Sequence, residues 1–233
     1  MLTGRVVFVV AGGELDGSEF FLKKITEASP AAVICADGGA RHLEAAGVNP
    51  DLVIGDMDSI DPDVLRHYEE SGCRVVRCPQ SKDETDTELA LQEAFCLEPS
   101  AVWIWGAMGG RIDHTLANIS LLSRGIRLGI PVKLIDERCE VFMIARKTIL
   151  DGEIGQVVSL LPVSQKATGI TLGGFEYPLE NGEMEIGHPY GVSNRLVRKR
   201  GIIEIASGLL LAIRYFRPEQ FAEIKLPFSE GMG

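Results

Sequence analysis

Two hydrophobic periods alternate along the first part of the chain. Short apolar runs rich in β-branched residues occur at Val6–Val10, Ala32–Ala36, Leu52–Gly55, Val75–Val76, Val102–Trp105 and Val132–Ile135. Between them lie stretches in which apolar residues recur at helical spacing, and these predict helices near 18–28, 39–46, 62–71, 84–96 and 115–124. The runs carry no polar alternation, so each strand is buried on both faces. Strands of that kind separated by helices predict an open, mostly parallel sheet covered by helices on both faces, an α/β unit.

After about residue 138 the helical period fades. Short strand-like runs are punctuated by Asp151-Gly152, Gly173-Gly174, Asn181-Gly182 and Ser207-Gly208, which are turn signals. This predicts a smaller all-β, sandwich-like domain. Within it, Ile202–Ala206 and Leu209–Ile213 on either side of Ser207-Gly208 read as a hairpin. The expected division is therefore 1–138 and 139–233.

Composition narrows the class. The chain has 233 residues, 45% hydrophobic and 24% charged, with a formal net charge of −10. Those values exclude disordered and fibrous classes and speak against general nucleic-acid binding. No apolar run approaches the ~20 residues of a membrane helix, and Val6–Val10, ending in Gly12-Gly13, reads as a strand rather than a signal peptide. The five cysteines are odd in number and form no C-x-x-C pair, so reduced thiols and a cytoplasmic location are expected.

The chemistry sits where the predicted strands end, which is where ligands bind in open α/β sheets. Asp37-Gly38-Gly39 follows the second run; Asp37 reads either as a helix cap or as a ligand-facing carboxylate. Asp56-Met57-Asp58 follows the third. In extended chain the two carboxylates would project to one side, ~7 Å apart at Cα, a spacing that suits a hard cation. Lys82-Asp83-Glu84-Thr85-Asp86 opens a helix. Asp83 with Asp86 resembles a capping box, but that leaves the crowding of Asp83, Glu84, Asp86 and Glu88 unexplained. Gly106-Ala107-Met108-Gly109-Gly110-Arg111 follows the fifth run and can wrap an anion, with Arg111 binding phosphate. Asp113 reads either as a helix cap or as a further ligand-facing carboxylate, and His114 reads as a core histidine. Trp103 and Trp105 read as packing residues.

If the alternation is right, Asp37, Asp56, Asp58, Asp86 and Asp113 converge at one sheet edge. So many carboxylates would repel one another strongly at low dielectric, and a divalent cation removes the conflict. Beside a glycine-rich loop, Lys82 and Arg111, the set points to a metal–polyphosphate ligand.

ADGGA, PDLVIGDMDSI, KDETDTELAL and GAMGGRIDHTLAN, in this order and spacing, resemble the bacterial thiamine pyrophosphokinases. The resemblance is dense over 36–118 and looser beyond. It implies an ATP- and metal-binding catalytic domain followed by a β-rich domain for thiamine binding and dimerisation, in a homodimer. It implies Mg²⁺-dependent transfer of pyrophosphate from ATP to the hydroxyl of thiamine, giving thiamine diphosphate and AMP. Asp56, Asp58 and Asp86 would hold Mg²⁺ with Asp37 close by. Lys82, Asp83, Thr85, Gly109, Gly110 and Arg111 would contact ATP. Tyr177, Ser193 and Asn194 would face thiamine, and many relatives carry Trp where this chain has Tyr177. Asp37 and Asp113 are both open as the base for the hydroxyl proton. The alternatives are a pyrophosphokinase acting on another alcohol such as a pterin, a non-catalytic nucleotide or thiamine diphosphate sensor, and an α/β protein whose acidic turns are only helix caps.

Overall fold

The computed structural model describes residues 5–16 and 18–216. The chain divides into two compact units between Met143 and Ile144, five residues beyond the expected division.

The first unit contains β1 (Val6–Val10), α1 (Ser18–Ala28), β2 (Ala32–Ala36), a 3-10 turn (Asp37–Gly39), α2 (Ala40–Ala46), β3 (Leu52–Gly55) and α3 (Pro62–Glu70). β4 (Arg74–Arg77), α4 (Asp86–Cys96), β5 (Ala101–Trp105), α5 (Ile112–Leu128), β6 (Val132–Ile135) and β7 (Cys139–Ile144) follow. The strands lie in the order β4-β3-β2-β1-β5-β6-β7. All are parallel to their neighbours except β7, which runs antiparallel to β6. β1, β2 and β3 are buried along their whole lengths, which is why their sequences show no alternation. The exposed edge strand β4 begins and ends in arginine, a charge pattern that discourages further strand pairing.

The chain moves outward from β1 to β4, then returns to add β5 and β6 on the other side of β1. Right-handed crossovers therefore place α1, α2 and α3 on one face and α4 and α5 on the other. Contacts agree, since α1 packs on α2 and α4 on α5. Phe8, Phe21 and Trp105 fill the centre. Trp105 meets Phe21 edge-on at 5.0 Å, and Phe8 stacks on Trp103 at 5.2 Å, so both tryptophans are packing residues. The reversal of direction makes the gap between β1 and β5 a topological switch point, and the loops after these two strands flank it.

The second unit holds β8 (Lys147–Asp151), β9 (Val157–Pro162), β10 (Lys166–Gly173), β11 (Leu179–Glu185), β12 (Asn194–Arg195), β13 (Arg200–Glu204) and β14 (Leu210–Tyr215). β11-β10-β13-β8 form one antiparallel sheet, and β12-β9-β14 pair antiparallel in the other. The expected hairpin across Ser207-Gly208 is absent. β13 pairs with β8 and β10, whereas β14 pairs with β9. Thr168 N–H donates to Ser207 O at 2.9 Å, pinning the turn to β10 so that the chain leaves one sheet there and enters the other. Alternation in sequence reports which face of a strand is buried, not which strand it pairs with. No helix among the described residues is long and apolar enough to cross a membrane.

Candidate active site

Asp37 leaves β2 in the left-handed region, at φ +35°, and is only 5% exposed. Its approach to β3 requires Gly55, since a Cβ there would lie 2.6 Å from Asp37 Cβ. Asp37 caps no helix through its side chain, and Oδ1 is buried with no hydrogen-bond partner among the described residues. Burial raises its pKa first, and the charges of Asp86, Asp56 and Asp58 raise it further, against a lowering contribution from Ser59.

Asp56-Met57-Asp58 is not extended. Met57 has φ +67°, and Asp58 N–H donates to Asp56 Oδ1 at 3.2 Å. This turn corrects the expected in-line spacing and folds both carboxylates toward Asp37. One oxygen each of Asp37, Asp56 and Asp58 lies within 4.8 Å of the others. Left-handed conformations at two non-glycine residues of one cluster are strain of the kind concentrated at functional sites. Asp58 is held on both sides, as Ser59 Oγ donates to Oδ1 at 3.0 Å and Gln80 Nε2 to Oδ2 at 3.2 Å. Neither Asp56 nor Asp58 caps α3, because Asp61 does, accepting from Asp63 N–H at 2.8 Å. Three converging carboxylates and a buried oxygen without a donor fit a hard divalent cation.

The crowded acids of α4 now separate by role. Thr85 is the N-cap, with Oγ1 accepting from Glu88 N–H at 3.1 Å. The box therefore starts two residues later than the sequence suggested, on Thr85 rather than Asp83. Glu88 pairs with Arg124 of α5. Asp86 Oδ1 lies 2.8 Å from Lys82 Nζ, and the Lys82 side chain is largely covered. Asp83 and Glu84 are exposed. Asp86 stands outside the closest trio, near enough for its charge to act on Asp37.

In the loop after β5, Gly109 and Gly110 have φ +82° and +60°. Buried Asn118 of α5 fixes the loop's start, donating through Nδ2 to Ala107 O at 2.8 Å. Arg111 is exposed and binds Asp113 through two nitrogens, the shorter contact 2.5 Å. This ion pair holds the Asp113 carboxyl down at about 2. The N-cap of α5 is Arg111, with no side-chain cap bond, so Asp113 is not a cap. His114 is exposed, not a core histidine; the buried polar residue on that helix is Asn118, one turn on.

Tyr177, Ser193 and Asn194 gather in the second unit. Asn194 is buried, accepts from Tyr177 N–H at 3.0 Å and donates to Tyr177 O at 2.8 Å. Its side chain thus clamps backbone, while exposed Tyr177 and Ser193, at φ +62°, present the surface.

A family model described as "Thiamin pyrophosphokinase, catalytic domain" matches residues 23–134, and one described as "Thiamin pyrophosphokinase, vitamin B1 binding domain" matches 146–210. Thiamine pyrophosphokinase of Bacillus subtilis is 36% identical over 183 residues, 78% of this chain and 86% of that protein. This chain belongs to the thiamine pyrophosphokinase family. Solved structures agree in fold. A Bacillus subtilis thiamine pyrophosphokinase superposes with TM-score 0.81 at 31% identity, over 91% of this chain and 100% of the other. One from Geobacillus thermodenitrificans gives 0.78 at 28%, over 90% and 97%.

Membership explains the order of the acidic segments but leaves residues that sequence reasoning missed. Gln80, which belongs to no motif quoted above, and Ser59, which lies inside PDLVIGDMDSI but was given no role, both orient Asp58. The Gly12-Gly13-Glu14 loop after β1 lies beside the switch point, and its position after a strand was the signal available.

Proposed function

We propose that this thiamine pyrophosphokinase transfers the terminal pyrophosphate of ATP to the hydroxyl of thiamine, giving thiamine diphosphate and AMP. The observation that carries the reading is the meeting of Asp37, Asp56 and Asp58 at a strained sheet edge, where buried Asp37 has one carboxylate oxygen without a partner among the described residues. Asp56, Asp58 and Asp37 would hold Mg²⁺, with Asp86 at the rim. When bound, the cation neutralises phosphate charge as it develops. Lys82 is fixed beside Asp86 and offers a point charge to a phosphate oxygen. The positive φ values of Gly109 and Gly110 bend the loop so that it can wrap a phosphate, and Arg111 can exchange Asp113 for phosphate. Thr85 and Asp83, at the start of α4, face the same ligand. Such transfer depends on positioning and charge more than on covalent chemistry.

Asp113 accepts protons poorly near neutrality, because its carboxyl is held at about 2 by Arg111. Burial and the neighbouring carboxylates raise the Asp37 carboxyl in the metal-free site, but a bound cation would reverse that shift, so Asp37 is assigned to the metal and not to the hydroxyl proton. Tyr177 and Ser193 are proposed to meet thiamine, with Asn194 fixing the backbone between them; Tyr stacks on a cationic ring more weakly than Trp. The match of 146–210 to a vitamin B1 binding domain supports thiamine over a pterin alcohol, and the intact carboxylate set supports catalysis over sensing. A homodimer in the cytoplasm completes the proposal.

The test incubates the protein with ATP, Mg²⁺ and thiamine. AMP and thiamine diphosphate should appear in equal amounts and vanish with chelator or in Asp56→Asn. Pyrophosphate transfer to a pterin alcohol in preference to thiamine, or tight binding without AMP, would overturn the assignment.

A further inference from the structure

Hydrogen bonds converge on the short loop after β1. Gly13 N–H donates to Gly106 O at 2.6 Å and Glu14 N–H to Met108 O at 2.9 Å, so the loops after β1 and β5 pair across the switch point like two short antiparallel strands. The Glu14 side chain then reaches farther along the same loop, and Oε1 accepts from Gly110 N–H at 2.8 Å. Its carboxylate lies so close over Gly109 that any Cβ there would collide with it. From the opposite side Arg41 grips the β1 loop. One guanidinium nitrogen donates to Gly12 O at 2.6 Å and to Gly13 O at 2.7 Å. His42 Nε2 lies 2.7 Å from Gly13 O.

Arg41 and His42 stand in the first turn of α2, directly after the 3-10 turn that begins with Asp37. One short segment therefore carries the buried carboxylate of the acidic trio at its start and the grip on the β1 loop at its end. Charge-assisted hydrogen bonds of this kind fix geometry more strongly than neutral ones.

We propose that Arg41 and Glu14 are positioning residues that set the Gly109–Arg111 loop at a fixed distance from the Asp37 carboxylate cluster. Arg41 holds the Gly12-Gly13 carbonyls, the paired backbones transmit the position, and Glu14 fastens the far end at Gly110. The inference rests on the reading of Gly109–Arg111 as the nucleotide loop. It deepens that reading by naming what preorganises the loop before ATP arrives. A preorganised loop binds its anion without first paying an ordering cost in entropy, so loss of either residue weakens ATP rather than thiamine.

The experiment measures KM for ATP, KM for thiamine, kcat and thermal midpoint for wild type, Arg41→Ala, Glu14→Ala, Glu14→Gln, the double variant Arg41→Ala/Glu14→Ala, and Arg111→Ala. The expected result is a rise of about tenfold in KM for ATP in each alanine variant, with kcat and KM for thiamine within about twofold. Glu14→Gln, which keeps the accepting oxygen, should remain near wild type. The double variant should be little worse than either single one, because both act through one loop. Equal rises in both KM values together with a lowered midpoint would mean a merely structural role and overturn the proposal, as would unchanged ATP KM in both alanine variants. If Arg41→Ala does not fold, the contrast between Glu14→Ala and Glu14→Gln decides alone, since Glu14 is exposed. An Arg111→Ala enzyme with wild-type ATP KM would remove the nucleotide-loop reading itself and this inference with it. That failure is distinguishable from one in which Arg111→Ala weakens ATP and the Glu14 and Arg41 variants do not.

Discussion

Replacing Asp37 by asparagine should make the metal-free protein more stable and the magnesium-loaded protein less so. Asp37 is buried, and its carboxylate shares with those of Asp56 and Asp58 a space no wider than 4.8 Å. Two unit charges at that separation repel by about 3.5 kcal/mol at an effective dielectric of 20. Asp58 is exposed and Asp56 half-buried, so solvent screens both pairs and leaves roughly 1–2 kcal/mol to be relieved. The amide has the same shape, carries no charge, and can donate to either neighbouring carboxylate. In chelator the variant should therefore melt roughly 2–8 °C above wild type. Magnesium reverses the order. At a concentration ~100 times its dissociation constant, a ligand that binds only the folded state stabilises it by about 2.7 kcal/mol. Wild type should gain that amount while Asp37→Asn gains little. The assay is a pair of thermal melts with EDTA or Mg²⁺, with no nucleotide present. A variant that melts below wild type in EDTA, or that responds to Mg²⁺ as wild type does, would refute the account of the trio as a repulsive cluster awaiting a cation.

Two more outcomes follow from ionisable groups elsewhere in the chain. Arg111 holds the Asp113 carboxyl at about 2, below its ordinary value. A carboxyl lowered on folding contributes stability that is present above the unfolded value and lost as pH falls through the folded one. Asp113→Asn should thus flatten the acid dependence of denaturant stability between about pH 4 and 2, and a change confined to neutral pH would contradict the pairing. Burial pushes the Cys73 thiol up to about 11, the Cys139 thiol up to about 12, and Cys35 well above the ordinary range. Iodoacetamide at pH 8 should label exposed Cys96 first and leave those three unmodified until denaturant is added, as read by peptide mass; early labelling of Cys35 would contradict its burial beside Asp37.

Much of the first unit was legible because its signals are local. Every predicted strand up to Val132–Ile135 lies within an observed one, and the helices begin within a few residues of where spacing put them. The exceptions share a cause. Thr85, not Asp83, caps α4, because Thr85 with Glu88 three residues on completes the side-chain-to-backbone bond, and the acid run around it hid that pair. The all-β character of the second unit was legible from turn chemistry, yet β13 and β14 separate into different sheets, since pairing is settled by contacts such as Thr168 with Ser207 that no period encodes.

The active site divides along the same line. Its residue types could be read from where strands end, but its geometry could not. Sequence reasoning treated Asp56-Met57-Asp58 as extended chain, and the carboxylates meet Asp37 because Met57 takes a left-handed conformation that only the surrounding fold sustains. Glu14 and Gly110 touch across 96 residues of chain, and neither carries a motif that points to the other. What joins them is the order of strands, in which β1 and β5 become neighbours only after the chain has run out to β4 and returned. The glycines after β1 and after β5 thus belong to one structure at the switch point. A reading that takes each strand end singly sees two turns there, whereas the topology makes them the two sides of one cradle.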